Sequence, residues 1–202
     1  MITKKGIRWI WQQSLDSISI KSPLGGRDMT VGSSPVDRSK LGQAKRHILT
    51  DKKGIPLSAV ITSASTHDIK AVTDVLENTS LNRPSESTST KKNKRRSHRQ
   101  QRQHLCLDRA YKSKPIENEI IKRGYVPHMP YKRKRGQKKE EKINQKQYDF
   151  VRNKRWVVEE RTNSWHNRFR KLFTRYEKKV ENYLGLVQLS CSIIIYRKII
   201  LG

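Results

Sequence analysis

Residues 105 to 130 read LCLDRAYKSKPIENEIIKRGYVPHMP, and this stretch decides the fold class. LCLDRA is a short apolar run that ends in Asp108. KSKPIENEIIKRG then has Pro115 in a first helical turn and Gly124 just past a helical end, the positions at which those residues start and stop helices. YVPHMP resumes as a second short strand. A strand, a helix and a strand in succession imply a parallel pair joined by a crossover, because a tight turn cannot connect parallel strands.

Working outward, residues 7 to 20 (IRWIWQQSLDSISI) are rich in β-branched and aromatic types, with Ile18 and Ile20 alternating against Ser17 and Ser19. This predicts a strand carrying Asp16. A Gly/Pro/Ser-rich stretch from Ser22 to Pro35 follows, and AKRHILTDKKGIPLSAVITSAS then predicts a hairpin turning at Asp51 to Gly54. THDIKAVTDVLENTS has Thr66 or Asp68 as a capping candidate and spaces Ile69, Val72, Val75 and Leu76 at helical intervals. Downstream, a long helix is expected from near Tyr148, with Val158, Trp165, Phe169, Leu172 and Tyr176 as its apolar stripe. The segment 177 to 200 is expected to be helical and more apolar. The order predicts an α/β fold, a mixed sheet flanked by helices, forming one domain over residues 1 to 202. Basic linkers interrupt it at 80 to 104 and 131 to 147.

Charge narrows the partner. The chain has 202 residues with 45 Lys and Arg against 18 acids, a formal charge of +27 that repels itself unless a polyanion is near. The basic tracts at 91 to 104 and 131 to 147 hold 7 and 8 of those cations. Nucleic acid is the expected partner, and composition alone leaves a basic ribosomal-type protein open as the alternative. Only Cys106 and Cys191 occur, without metal-binding spacing, so neither a disulfide framework nor a zinc site is expected and a reducing cytoplasm fits. The first residues lack an apolar run of signal-peptide length, and the window Tyr183 to Tyr196 is short of the roughly 20 apolar residues of a membrane span. No membrane partner is expected.

Acids are scarce, so Asp16 and Asp108 stand out at or near the ends of apolar strands, where side chains converge on a ligand crevice. Two carboxylates brought together repel unless a cation lies between them. Magnesium or manganese is that cation, since hard divalent ions take oxygen ligands and a substrate phosphate. A pair of such ions can activate a water or a 3′-hydroxyl and stabilise the departing oxygen. Glu159 and Glu160, at the start of the long helix, are the candidates for a third carboxylate. The spacing also admits a plainer reading, with the aspartates as turn or capping residues and the glutamates as helix-dipole partners.

Five blocks now resemble a known family. SLDSISIKSPLGG, DRSKLGQAKRHILTDKKGIPLSAVITSASTHD, LCLDRAYKS, KRGYVPH and RWVVEERTNSWHNRFRKLFTRYEKKVENYLGLVQL stand in the order found in bacterial insertion-sequence transposases of the insertion-sequence-five group. They span roughly residues 7 to 198 and end in an ER-x-x-SW-x-x-RFRKL helix block. The resemblance implies an RNase H-like fold and metal-dependent DNA strand cleavage and transfer by two aspartates and a glutamate. Asp16 matches the aspartate of the SLD block and Asp108 that of the LD-x-x-Y block. Glu160 matches the glutamate before Arg-Thr, with Glu159 as the alternative, and Asp16, Asp108 and Glu160 are the implied metal ligands.

For DNA handling, Arg161, Arg168 and Arg175 recur every seven residues beside the apolar stripe, either as a row facing phosphates or as a solvated helix face. Lys94, Arg95, Arg96, Lys132, Arg133, Lys134 and Arg135 are the tract cations expected to neutralise phosphates without reading sequence. Trp165 is read as core rather than as a base-stacking residue, and His67 with Asp68 as capping and packing. The resemblance implies a homo-oligomer on element ends. Full-length relatives carry a further N-terminal region, so this chain is expected to lack it and to work with a separate N-terminal fragment. The competing expectation is a catalytically inactive, DNA-binding remnant of a transposase.

Overall fold

The strand that carries Asp16 runs from Gln13 to Lys21 (β1) and lies at the centre of a five-stranded sheet. The structure is a computed structural model and describes residues 12–34, 42–79, 103–129 and 158–201. The expectations for residues 7 to 11, for the linker at 80 to 102, for the second basic linker at 131 to 147 and for a helix start near Tyr148 lie outside the described residues. The hairpin forms as expected, from β2 (Gln43–Asp51) and β3 (Pro56–Ser63). A 3₁₀ turn, Asp68–Lys70, leads into α1 (Ala71–Glu77). Then come β4 (Gln103–Leu107), α2 (Lys114–Lys122) and β5 (Tyr125–His128). Residues 158–167 form α3, and α4 (Arg170–Phe173) and α5 (Val180–Ile195) complete the helices.

The sheet order is β3-β2-β1-β4-β5, with β1–β2 and β2–β3 antiparallel and β1–β4 and β4–β5 parallel. This is the mixed, helix-flanked sheet anticipated from the strand-helix-strand reading. Its two faces bury separate apolar clusters, as the period of two along a strand requires. On one face Leu15, Leu49, Leu57, Leu105 and Leu107 pack beneath Val72 and Val75 of α1 and Ile120 of α2. On the other, Ile20, Ala44 and Ile61 pack against Leu172 of α4 and Tyr183 and Val187 of α5. Each fully buried leucine contributes about 1.5–3 kcal/mol.

Local chemistry explains the turns. Asp51 Oδ1 accepts hydrogen bonds from the Lys53 and Ile55 amides, both at 2.8 Å, and Gly54 takes φ +81° to close the hairpin. Gly124 ends α2 at φ +78°, where a side chain would clash with its own carbonyl. His67 caps the turn before α1, its Nδ1 accepting from the Ile69 amide at 3.3 Å, while Asp68 pairs with Lys45 at 2.9 Å.

Three expectations need correction. The first linker does not extend to 104, because Gln103 and His104 already pair with Tyr125 and Val126 of β5. The C-terminal helix starts at Val180, because residues 175–179 are spent on the clasp described next. The apolar stripe from Val158 to Tyr176 is not one helix face. Phe169 leaves helical geometry at φ −84°, ψ 100°, and Thr174 bridges Lys21 of β1. The break follows from Arg175, which is 0 % exposed and paired with Asp28 at 3.3 Å, while its Nη1 donates to Thr30 Oγ1 at 2.7 Å and its Nε to Glu177 O at 2.9 Å. A straight helix would carry that guanidinium away from Asp28.

Two outcomes are expected from this packing. A Cβ at residue 54 would sit 2.7 Å from Thr162 Oγ1 on a positive-φ backbone, so Gly54→Ala should cost about 1–3 kcal/mol in a urea titration. His47 and His166 are both held neutral by burial, their pKa values pushed down to about 4 and about 3. The unfolded chain binds those protons from about pH 6.5 downward while the folded one does not, so stability is full above pH 6.5 and falls as the pH drops toward 4. Denaturant midpoints should show a loss on the order of 4 kcal/mol between pH 7 and 5, about 2 kcal/mol from each histidine, so His166→Asn should remove about half of it.

Candidate active site

The parallel pairing of β1 with β4 has three rungs, Gln13–Leu105, Ser14–Cys106 and Leu15–Leu107. One residue further on, β1 continues as Asp16, while Asp108 lies just past the end of β4 and leads into the 3₁₀ segment Arg109–Tyr111. The two aspartates are therefore neighbours at the point where the strands part. Leu15 and Leu107 face the α1–α2 cluster, so alternation places Asp16 and Asp108 on the opposite face, the one α3 covers. The chain runs from β1 to β2 and β3 on one side and crosses to β4 and β5 on the other, which makes this gap the switch point of the sheet.

Helix α3 is held over the gap by polar contacts. Thr162 Oγ1 donates to Gly54 O at 2.8 Å, and Arg161 Nη2 to Lys53 O at 2.9 Å, tying the helix to the hairpin turn. At its other end His166 Nδ1 lies 2.7 Å from Ser190 Oγ, whose own proton goes to Val187 O, so the imidazole is the donor. Arg46 of β2, fully buried, sends Nη2 toward Asn167 Oδ1 at 3.4 Å and Nη1 toward Leu172 O at 3.5 Å. The buried positions Val158, Thr162 and His166 recur every fourth residue, so one helical face points inward.

The opposite side of α3 completes a cleft of about 730 Å3. Asp16, Ser17 and Asp108 line it from the sheet, and Glu159, Glu160, Asn163, Ser164 and Asn167 from the helix. Asn163 Nδ2 donates to Asp16 Oδ2 at 3.2 Å and ties the helix to the first aspartate. Asp16 is half-buried, Asp108 and Glu160 are exposed, and Glu159 is only 5 % exposed. Tyr111, buried in the apolar cluster on the sheet's other face, lies close enough to feel these charges. Burial, chiefly, pushes its hydroxyl far above its usual range, the negative charges of Asp68, Asp16 and Glu159 add to the shift, and a hydrogen bond with Ser17 opposes it. It stays protonated beside the acids.

All four acids singled out in the sequence thus meet one cleft. Among the described residues, however, no three His, Cys, Asp or Glu side chains converge closely enough to hold one metal ion. The donor set is nonetheless the right kind. Carboxylates and a side-chain amide supply oxygens alone, the ligands of a hard divalent ion, and Asp108 and Glu160 are exposed and able to change rotamer.

Sequence reasoning missed Asn163, Ser164 and Asn167. A signal was present: with Glu160 they form a polar face at spacings of three, four and seven, which attention to the apolar stripe passed over. The proposed arginine row does not survive. Arg161 and Arg168 are exposed, but Arg175 is buried in its pairing with Asp28, so it presents nothing to phosphate, and the helix break removes the common face. Trp165 is half-buried, with Arg161 at 5.5 Å and Lys198 at 4.7 Å from its ring centroid. Lys94, Arg95, Arg96, Lys132, Arg133, Lys134 and Arg135 lie outside the described residues. Cys106 and Cys191 are free thiols, and among the described residues no helix is long and apolar enough to cross a membrane.

Comparison with known proteins shows the family and the fold. The chain is 31 % identical over 176 residues to a transposase assigned to insertion sequence element IS402 of Burkholderia cepacia, covering 87 % of this chain and 72 % of that one. Among solved structures it is similar to the piggyBac transposase in a synaptic complex with hairpin DNA, at a TM-score of 0.51 and 11 % identity. That match covers 92 % of this chain and 46 % of the other, so the chain spans about half the length of that relative, and the likeness concerns the fold, of RNase H-like type. The family model described as the transposase DDE domain matches residues 14–195, from the middle of β1 to the end of α5. The chain belongs to the DDE transposase domain family of insertion sequences.

Proposed function

We propose that this chain carries out metal-dependent DNA strand cleavage and strand transfer for an insertion sequence, with Asp16, Asp108 and Glu160 as the acids that hold the ions. The observation that carries the proposal is the placement of Asp16 and Asp108, one residue past the last rung of β1–β4, in one cleft beneath the two glutamates. Glu160 is preferred to Glu159 because it is exposed, whereas Glu159 is 5 % exposed, although both line the cleft. Magnesium or manganese, when bound, would make the attacking water or 3′-hydroxyl more acidic and stabilise the departing oxygen. Asn163 orients the Asp16 carboxylate by its hydrogen bond. Arg161 and Arg168, exposed on and just beyond α3, would contact DNA phosphates, a reading supported by their exposure. The protein partner is a second copy of the chain on paired element ends.

A second reading, a DNA-binding form without catalysis, is favoured by the lack of a converged carboxylate trio among the described residues. One experiment separates the two. Purified protein with manganese and a duplex ending in the element's terminal repeat should nick DNA, and Asp108→Ala should reduce the rate on the order of 100-fold or more while leaving DNA affinity within about threefold. Nicking that persists at full rate in excess chelator would sink the metal mechanism. Binding without any nicking, unchanged by Asp16→Ala, would establish the second reading. Glu160→Gln should match Asp108→Ala in its loss of rate, whereas Glu159→Gln should retain at least about a tenth of the activity. The reverse ranking would transfer the role to Glu159.

A further inference from the structure

A second cleft, of about 400 Å3, opens where the end of α3 meets the end of α5. Its floor is aromatic, from Trp165 and Phe169, and its rim is cationic, from Arg168, Arg197 and Lys198. Among the described residues, no carboxylate forms an ion pair with any of these three cations. Lys198 instead rests 4.7 Å from the Trp165 ring centroid. Three like charges around one depression repel one another, and an anion entering it lowers that repulsion further than solvent screening alone.

Two features give the cleft the form of a built site. Arg197 and Lys198 lie on a π-helical turn, Tyr196–Ile200, that follows α5 directly, a rare local geometry frequent at functional sites. Helix α3 also lines both clefts. Ser164 lines the acid-lined one and Trp165, the next residue, the second, with Asn167 and Arg168 divided between them in the same way at the helix end. A polyanionic strand lying over Asp16 and Asp108 would run directly onto the cationic rim.

We propose that this cleft is a phosphodiester seat for the DNA strand flanking the reacting phosphate. Arg168, Arg197 and Lys198 each neutralise one phosphate, and Trp165 and Phe169 form an apolar floor for the sugar edge. The proposal rests on the cleavage reading only for the identity of the polyanion. Phe169 reaches the floor because the chain leaves helical geometry there, so the break in the helix and the cleft are one feature.

The test is the salt dependence of binding of a labelled duplex by the full chain, read by fluorescence anisotropy in chelator so that nothing is cut. Each phosphate contact contributes about −0.9 to the slope of log affinity against log salt, so R197Q/K198Q should flatten the slope by nearly 2 and weaken binding about 60-fold near 0.1 M salt. R197K/K198R keeps both charges and should restore the slope. K70Q/K122Q removes two exposed cations from the α1–α2 face and should change affinity less than about twofold. A slope for R197Q/K198Q equal to that of the wild type or of K70Q/K122Q overturns the seat, as does weakened binding of structured RNA with duplex DNA unaffected. Metal-dependent nicking with an unchanged slope removes this proposal alone. Nicking that ignores chelator removes the cleavage mechanism and leaves the seat standing.

Discussion

Three rungs of parallel pairing hold the molecule's chemistry in place. Gln13–Leu105, Ser14–Cys106 and Leu15–Leu107 bring together two segments that the chain synthesises far apart, and the pairing stops where each strand presents an aspartate. Had β4 continued alongside β1 for another turn of the pleat, Asp108 would have been one more half-buried position in a sheet. Because β4 instead turns into a 3₁₀ segment, its carboxylate is released into a gap whose other wall is still a strand. The leucines that precede the aspartates anchor the opposite face, so a change of register by one residue would move the acids into the apolar core.

The helix above the gap is positioned by buried polar groups. Arg46 is completely buried and reaches Asn167 and Leu172 oxygens at 3.4 and 3.5 Å, while burial keeps His166 neutral beside Ser190. Burying a guanidinium is costly, and removing it would leave the carbonyl of Leu172 and the amide of Asn167 with less to hold them. The hairpin turn secures the other end through Thr162 and Arg161. A polar suspension of this kind sets the distance between the glutamates and the sheet, something apolar packing alone does loosely.

What the sequence made legible was whatever depended on neighbours in the chain. Pro115 and Gly124 bracketed α2, Asp51 and Gly54 marked the hairpin, and the scarcity of acids made Asp16 and Asp108 visible. Arg175 was misread because a seven-residue period says nothing of Asp28, 147 positions away, whose carboxylate draws the guanidinium inward and breaks the helix. Asn163 and Asn167 were overlooked for a related reason. A polar helix face reads as solvated unless its neighbour is known, and here the neighbour is β1. The second glutamate could not be told from the first by spacing, since the difference between them is burial.

The hydrogen bond from Asn163 to Asp16 spans 147 residues. A ribosome releases this chain from the N-terminus, so the first aspartate emerges long before the strand that will stand beside it, and the helix that closes the cleft emerges later still. Contacts of such separation form late in folding. A chain made only as far as residue 157 consequently has β1 and β4 but no helix over the gap between them, so the acid-lined cleft is an assembly of distant segments that no shorter stretch can form.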